Sequence, residues 1–338
     1  MKAALLREYK TPLSIEDAAV PRPGPGEVLL RTEACGVCHS DLHLAEGDWP
    51  QLAKIVKLPL ILGHEIVGRV VETGPEVAAP LVEDRVGVPW LHWTCGECEF
   101  CREGRENLCL RQAITGATVD GGYAEFVRAR ASHVLRVPDG LGPEEAAPLF
   151  CAGVTVYRAL RRAGIRSGER VAIFGIGGLG QLAVQIGAAL GARISALDVG
   201  ATKLELAQAL GAERVLDARD PDLRAKFRAL GGMHCALVTS AARTAYDAAL
   251  GSLRRGGTLV VVGVPPEPLA IPPMVLVGGE FRIVASAVGT RADLADVLEL
   301  AAAGKIRCRT ETYPLGDVND VFAAMGRGSI QGRAVLRP

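Results

Sequence analysis

The sequence predicts an α/β chain of two domains, one rich in short strands and one built on a doubly wound parallel sheet. Three observations carry that prediction. The chain has 338 residues, enough for two full cores and long for one. From Glu169 onward, apolar β-branched runs alternate with helical runs at βα spacing. Before residue 150 the apolar runs are short and broken by turn formers, with sparse helical periodicity.

The elements follow in order. PRPGPGE (Pro21 to Glu27) must be a turn or extended loop, because its prolines and glycines exclude helix. VLLRTEA and EIVGRVVETG then read as strands from their β-branched content. At Pro143 the texture changes: PEEAAPLFCAGVTVYRALRRAG opens on proline and acidic residues and continues in a helical rhythm. RVAIFG predicts a strand, LGQLAVQIGAALGA a helix closed by glycine, and RISALD a second strand. TKLELAQALGA predicts the next helix and ERVLD a third strand. CALVTS and TLVVVG extend the sheet around the helical AYDAALGSLRR. Near Leu300 the alternation ends, and Ile306 to Pro338 has a strand-and-turn texture, expected to fold back onto the first domain. The predicted domains are residues 1–152 with 300–338, and residues 153–299.

Composition narrows the class. Lys plus Arg and Asp plus Glu each number 38, so no basic excess points to nucleic acid. The most apolar stretch, Val171 to Val199, contains six glycines with Gln181, Gln185 and Arg193, which fits strand, turn and helix better than a membrane span. MKAALLREYK lacks the long apolar core of a secretory signal. The expectation is a cytoplasmic protein, whose cysteines stay reduced and favour metal thiolates over disulfides.

Four of the nine cysteines, Cys95, Cys98, Cys101 and Cys109, fall as C-x2-C-x2-C-x7-C. The cluster is too crowded for two relaxed disulfides and suits a closed tetrahedral S4 zinc site. A closed site is structural, so the chemistry must come from elsewhere. GIGGLG places Gly175, Gly177 and Gly180 in a G-x-G-x-x-G pattern, with Gly178 and Leu179 between them. The loop follows the strand RVAIF and opens a helix, and Asp198 ends the next strand, which is the context of a dinucleotide fingerprint. The helix N-terminus offers free N–H groups to phosphates. Asp198 would accept both adenosine ribose hydroxyls and repel a 2′-phosphate, favouring NAD over NADP. A glycine turn in a flavodoxin-like sheet, with Asp198 as a cap, is the weaker alternative.

Three further segments hold reactive side chains: ACGVCHSDLH with Cys38, LILGHE with His64, and LFCAGVTVYRAL with Cys151. Each alone reads equally well as a buried structural residue. Together, two cysteines and a histidine beside a dinucleotide fold match a Cys2His zinc set with its fourth position open.

Along essentially its whole length the chain resembles the zinc-containing medium-chain alcohol dehydrogenases, of the NAD-dependent microbial tetrameric type. GVCHSDLH, GHE, the four-cysteine lobe, FCAGVTVY and GIGGLG followed by Asp198 carry the likeness. The resemblance implies a GroES-like catalytic domain, a Rossmann domain and an active site in the cleft between them. It implies two zinc ions per chain, one catalytic on Cys38, His64 and Cys151 and one structural on the clustered cysteines. Glu65 would be the carboxylate able to approach the metal during ligand exchange, and Asp41 would fix the tautomer of His64. Ser40 and His43 would relay the alcohol proton outward through the cofactor ribose, with His43 as the terminal base. His39 and Arg333 would meet the cofactor pyrophosphate, Thr155 the nicotinamide and Lys203 the adenosine ribose. Trp49 in GDWP and Trp90 in VPWLHW would line the substrate pocket and narrow it toward small primary alcohols.

The activity so implied is reversible hydride transfer between an alcohol and NAD, giving aldehyde or ketone and NADH, by a homotetramer or alternatively a homodimer. Ser40 departs from the threonine of many microbial relatives, which widens the mouth for bulkier, secondary or aromatic alcohols. A polyol or threonine dehydrogenase of the same fold is the rival enzyme. A non-enzymatic zinc-binding module is the rival of another class, opposed by neutral charge and the complete dinucleotide fingerprint. Cys35, Cys235 and Cys308 read as small buried hydrophobes, and His92, His133 and His234 as structural.

Overall fold

The computed structural model describes residues 1–338, the side chain of Gln51 excepted. Two compact units emerge: Met1–Cys151 with Thr290–Ala302 and Cys308–Pro338, and Ala152–Gly289 with Ala303–Arg307. Residues 290–299, which the texture assigns to the second domain, lie in the first unit. An ionic anchor explains this. At the start of the helix Arg291–Ala302, the Arg291 backbone N–H and Nε donate to Glu106 Oε1 at 2.9 and 3.0 Å, and Nη2 donates to Oε2 at 2.6 Å.

In the first unit, one sheet runs in the order Leu135–Arg136, Arg85–Val88, Glu65–Thr73, Glu27–Gly36, Arg333–Arg337, Thr310–Pro314. Glu27–Gly36 is its spine, buried at nearly every position, which its run of Val, Leu, Ala and Cys permits. Gly36 stands opposite Glu65 on one side and Val335 on the other, both pairings antiparallel. The tail therefore joins the sheet through Arg333–Arg337. It also holds a helix, Val318–Gly326, that a strand-and-turn texture does not predict. Val318, Val321, Phe322 and Met325 fall on one helical face and bury it in the core with Leu30, Ile66 and Tyr123.

In the second unit, six parallel strands lie in the order Arg214–Asp217, Arg193–Asp198, Arg170–Phe174, Met233–Val238, Leu253–Val261, Arg282–Ala285. The topology reverses beside Arg170–Phe174, and in such sheets ligands bind beyond the carboxyl ends of the strands at that point. The segment SLRR, read as helical, divides instead. The helix Arg243–Ser252 ends where Leu253 turns extended, and Leu253 starts the fifth strand with an irregular register against Met233.

The helical run expected from Pro143 is also divided. An α-helical turn Pro143–Ala146 passes into a 3-10 turn Ala147–Phe150, and Cys151 (φ −130°, ψ −68°) interrupts the chain before the helix Ala152–Ala163. Among the described residues, no helix is long and apolar enough to cross a membrane.

Candidate metal centres and cofactor loop

Cys38, His64, Glu65 and Cys151 each offer one ligand atom, these atoms all lie within 4.8 Å of one another, and all four residues are buried. Local structure brings them there. Cys38 leaves the spine strand and caps the helix His39–Glu46, whose third residue is Asp41. His64 immediately precedes the strand Glu65–Thr73. Cys151 occupies the break described above.

His64 Nδ1 lies 3.0 Å from Asp41 Oδ1, so the imidazole donates there and leaves Nε2 as the nitrogen free to bind a metal. Nε2 is buried and has no partner. An orphaned imidazole nitrogen beside two buried thiols is the donor set of a thiophilic divalent metal, and zinc fits it. Cys38, His64 and Cys151 perturb one another's proton affinities. Cys151, then His64 and Arg333, hold the Cys38 thiol well below its usual range against the opposing effect of burial. Cys38 and burial push Cys151 well above it. Burial disfavours charge on His64, yet Asp41 outweighs it and raises the imidazole.

Asp41 is the hub beneath these ligands. Its carboxylate accepts from the backbone N–H of Cys38 at 2.9 Å and of Gly63 at 3.3 Å, as well as from His64. Tyr123 Oη adds a fourth bond, donating to Asp41 Oδ2 at 2.8 Å. Tyr123 was absent from the sequence-derived set. Nothing local marks it, since its hydroxyl reaches Asp41 across 82 positions of chain.

The clustered cysteines form the second donor group, with all four ligand atoms within 4.8 Å. None of them is in a disulfide. Tetrahedral Zn–S bonds of about 2.3 Å space the sulfurs roughly 3.8 Å apart. Here Cys95 Sγ lies 3.8 Å from Cys101 Sγ and 3.5 Å from Cys109 Sγ. Backbone N–H groups of Glu97 and Cys98 pull the Cys95 thiol down to about 6, while burial and the adjacent sulfurs push Cys101 up to about 12. Two residues brace the lobe: Glu106 through its bonds to Arg291, and His133, whose Nε2 accepts the Thr94 N–H at 3.0 Å.

The glycine loop has the shape of a phosphate cradle. Gly175 has φ +95°, open to glycine at little cost, and a methyl on Gly180 would fall 1.9 Å from the Gly175 carbonyl oxygen. A methyl on Gly177 would meet no protein atom within 4 Å, which leaves room for a ligand to approach the backbone. Asp198 ties the loop down by accepting the Ile176 N–H at 2.7 Å on Oδ2, and the Val199 and Gly200 N–H groups on Oδ1. Lys203 Nζ stands 3.8 Å from Asp198 Oδ1. Thr239 supports the loop from below, donating to the Gly175 carbonyl at 2.7 Å; it too lies outside every sequence motif.

Residues 24–139 match the alcohol dehydrogenase GroES-like domain and residues 178–303 the zinc-binding dehydrogenase domain. An alcohol dehydrogenase of Geobacillus stearothermophilus is 49% identical over 338 residues, covering 100% of this chain and 99% of that one. The crystal structure of the alcohol dehydrogenase from Aeropyrum pernix superposes with TM-score 0.92 at 38% identity, with full coverage of both chains. Acetophenone reductase from Geotrichum candidum, solved with NAD, superposes with TM-score 0.90 at 33% identity, covering 100% of this chain and 97% of that one. The chain belongs to the zinc-dependent medium-chain alcohol dehydrogenase family.

As a member of that family the chain is an oxidoreductase, with a GroES-like catalytic domain and a Rossmann-type sheet. Ser40 and His43 lie on the helix that Cys38 caps. His43 Nδ1 is 2.8 Å from Asp48 Oδ2, and its ring stands 5.3 Å from that of Trp49. Trp90 meets His64 edge to face at 4.8 Å between ring centroids. His39 is exposed at the first position of the same helix, whereas Thr155 is buried in the helix Ala152–Ala163. Arg333 is 3% exposed, and Nη2 donates to Glu65 Oε1.

Proposed function

We propose that the chain oxidises small alcohols to aldehydes or ketones with NAD and runs the reverse reduction with NADH. The observation that carries this reading is the unpartnered, buried His64 Nε2 beside the Cys38 and Cys151 sulfurs. Cys38, His64 and Cys151 would hold zinc, which would supply a Lewis acid able to acidify the alcohol. Asp41 orients His64 for that task, and Tyr123 orients Asp41. Ser40 and His43 carry the released proton outward; Asp48 holds His43 Nδ1 and leaves Nε2 to accept it. Asp198, Lys203 and the Gly175–Gly180 loop select NAD, and His39, Thr155 and Arg333 complete the cofactor contacts. The four clustered cysteines hold a second, structural zinc, giving two per chain. Two thiolate donor sets support a cytoplasmic location, where thiols stay reduced. NADH formation with a panel of alcohols, offered with NAD and then NADP, tests the reading; no reduced cofactor from any alcohol in zinc-loaded protein refutes it.

Trp90 against His64 and Trp49 against His43 support a narrow pocket, and Ser40 opens it by one methyl relative to threonine. Ser40→Thr should therefore depress kcat/KM for benzyl alcohol relative to ethanol, by up to about 1–3 kcal/mol, the worth of a methyl in a pocket. An unchanged ratio removes the idea.

We also read the protein as a homotetramer, with a homodimer as the alternative. The strand Arg282–Ala285 pairs on one side only, which leaves a free sheet edge, and Met274 and Val277 nearby are 77% and 70% exposed. An unpaired edge beside exposed apolar side chains suits two-fold strand pairing with a second copy. Val277→Asp should lower the solution mass measured by light scattering; an unaltered assembly would place the contact elsewhere.

A further inference from the structure

We infer that Gly36 and Arg333 hold the Glu65 carboxylate away from the metal, and so keep the fourth coordination position open. The inference rests on the reading that Cys38, His64 and Cys151 bind zinc. A Glu65 carboxylate oxygen belongs to the same donor group, within 4.8 Å of the other three ligand atoms. If Glu65 bound as well, four protein ligands would close a tetrahedral site, and a closed site has no place for substrate.

Two features oppose that closure. Arg333 Nη2 donates to Glu65 Oε1, a pair with both partners buried, at 3% and 0% exposure. Oε2 has no partner and rests over the backbone of Gly36. A methyl group at Gly36 would fall 2.0 Å from Oε2 and 3.0 Å from Cδ of Glu65. Sheet register explains why Gly36 matters. Gly36 lies on the middle strand, directly opposite Glu65 on one neighbour and Val335 on the other. Arg333 is two residues from Val335, on the same face. The missing side chain at Gly36 lets Glu65 and Arg333 meet across the middle strand. Backbone freedom is not the reason, because Gly36 is not among the glycines with positive φ. A buried carboxylate deprived of Arg333 either takes up a proton or finds another cation, and a metal held by Cys38, His64 and Cys151 would be the cation beside it. Gly36 and Arg333 are thus positioning residues for the open site.

Gly36→Ala tests this without changing any charge. Zinc affinity at the Cys38 site is measured by chelator competition, with Cys38→Ser protein reporting the other sites. Cobalt(II) loaded in place of zinc reports coordination through its visible absorption. Gly36→Ala should bind zinc about ten-fold more tightly, because it adds a ligand where outer-shell changes that disturb ligands typically cost about 10–100-fold, and should shift the cobalt bands. Both changes should vanish in Gly36→Ala/Glu65→Gln. If Gly36→Ala fails to fold, Arg333→Leu with and without Glu65→Gln gives the same comparison. Unchanged affinity and spectrum, or changes equal with and without Glu65, overturn the inference. If Cys38→Ser protein retains the full zinc content, the underlying metal assignment falls instead, and this inference with it.

Discussion

Cys38→Ser is expected to lower kcat/KM for alcohol oxidation by on the order of 10³-fold or more, with only a small change in melting temperature. Losing one of three ligands removes a Lewis acid worth several kcal/mol of charge stabilisation, and each 1.4 kcal/mol is about ten-fold in rate. The fold should survive because Cys38 is a small residue at a helix cap. The Cys38 side chain also belongs to the cap, a place that serine fills well, and the other cap contacts run through backbone atoms and Asp41: Asp41 Oδ2 accepts the Cys38 N–H, and the Cys38 carbonyl accepts the Asp41 N–H at 3.0 Å. Steady-state kinetics beside a thermal melt decide the matter. Activity retained near the wild-type level would show that the reacting metal is elsewhere.

Cys95→Ser should do the reverse. Structural zinc contributes about 10–16 kcal/mol to the folding of isolated zinc peptides. The loss here should be smaller, since Glu106–Arg291 and Thr94–His133 also brace the lobe. A loss of several kcal/mol would still lower the melting temperature by roughly 10 °C or more, at about 2–4 °C per kcal/mol for units of this size. The fraction that stays folded should turn over alcohol at nearly the wild-type kcat. A melt superimposable on the wild type would deny the lobe its structural role.

What was legible in the sequence had short range. The clustered cysteines hold their geometry by close spacing, the GIGGLG loop with Asp198 is marked by its place in one βα unit, and the Cys38–Asp41 segment is legible through the family resemblance. Long-range partners were not legible. Tyr123 joins Asp41, Thr239 supports Gly175 and Glu106 secures Arg291, each from a distant part of the chain and with no motif of its own. Arg333 shows the limit in another way. The family resemblance implies a cofactor contact for it, and strand register adds a partner, Glu65, that no motif names. The chain near residue 290 shows a similar limit, because a helix after an alternating series looks like its continuation until its ionic partner is known.

Zinc content measured together with turnover bears most directly on the central claim, that one buried metal reacts while another only braces. The expected result is two zinc ions per chain in fully active protein, one in inactive but folded Cys38→Ser. One zinc per chain in fully active wild-type protein would contradict it.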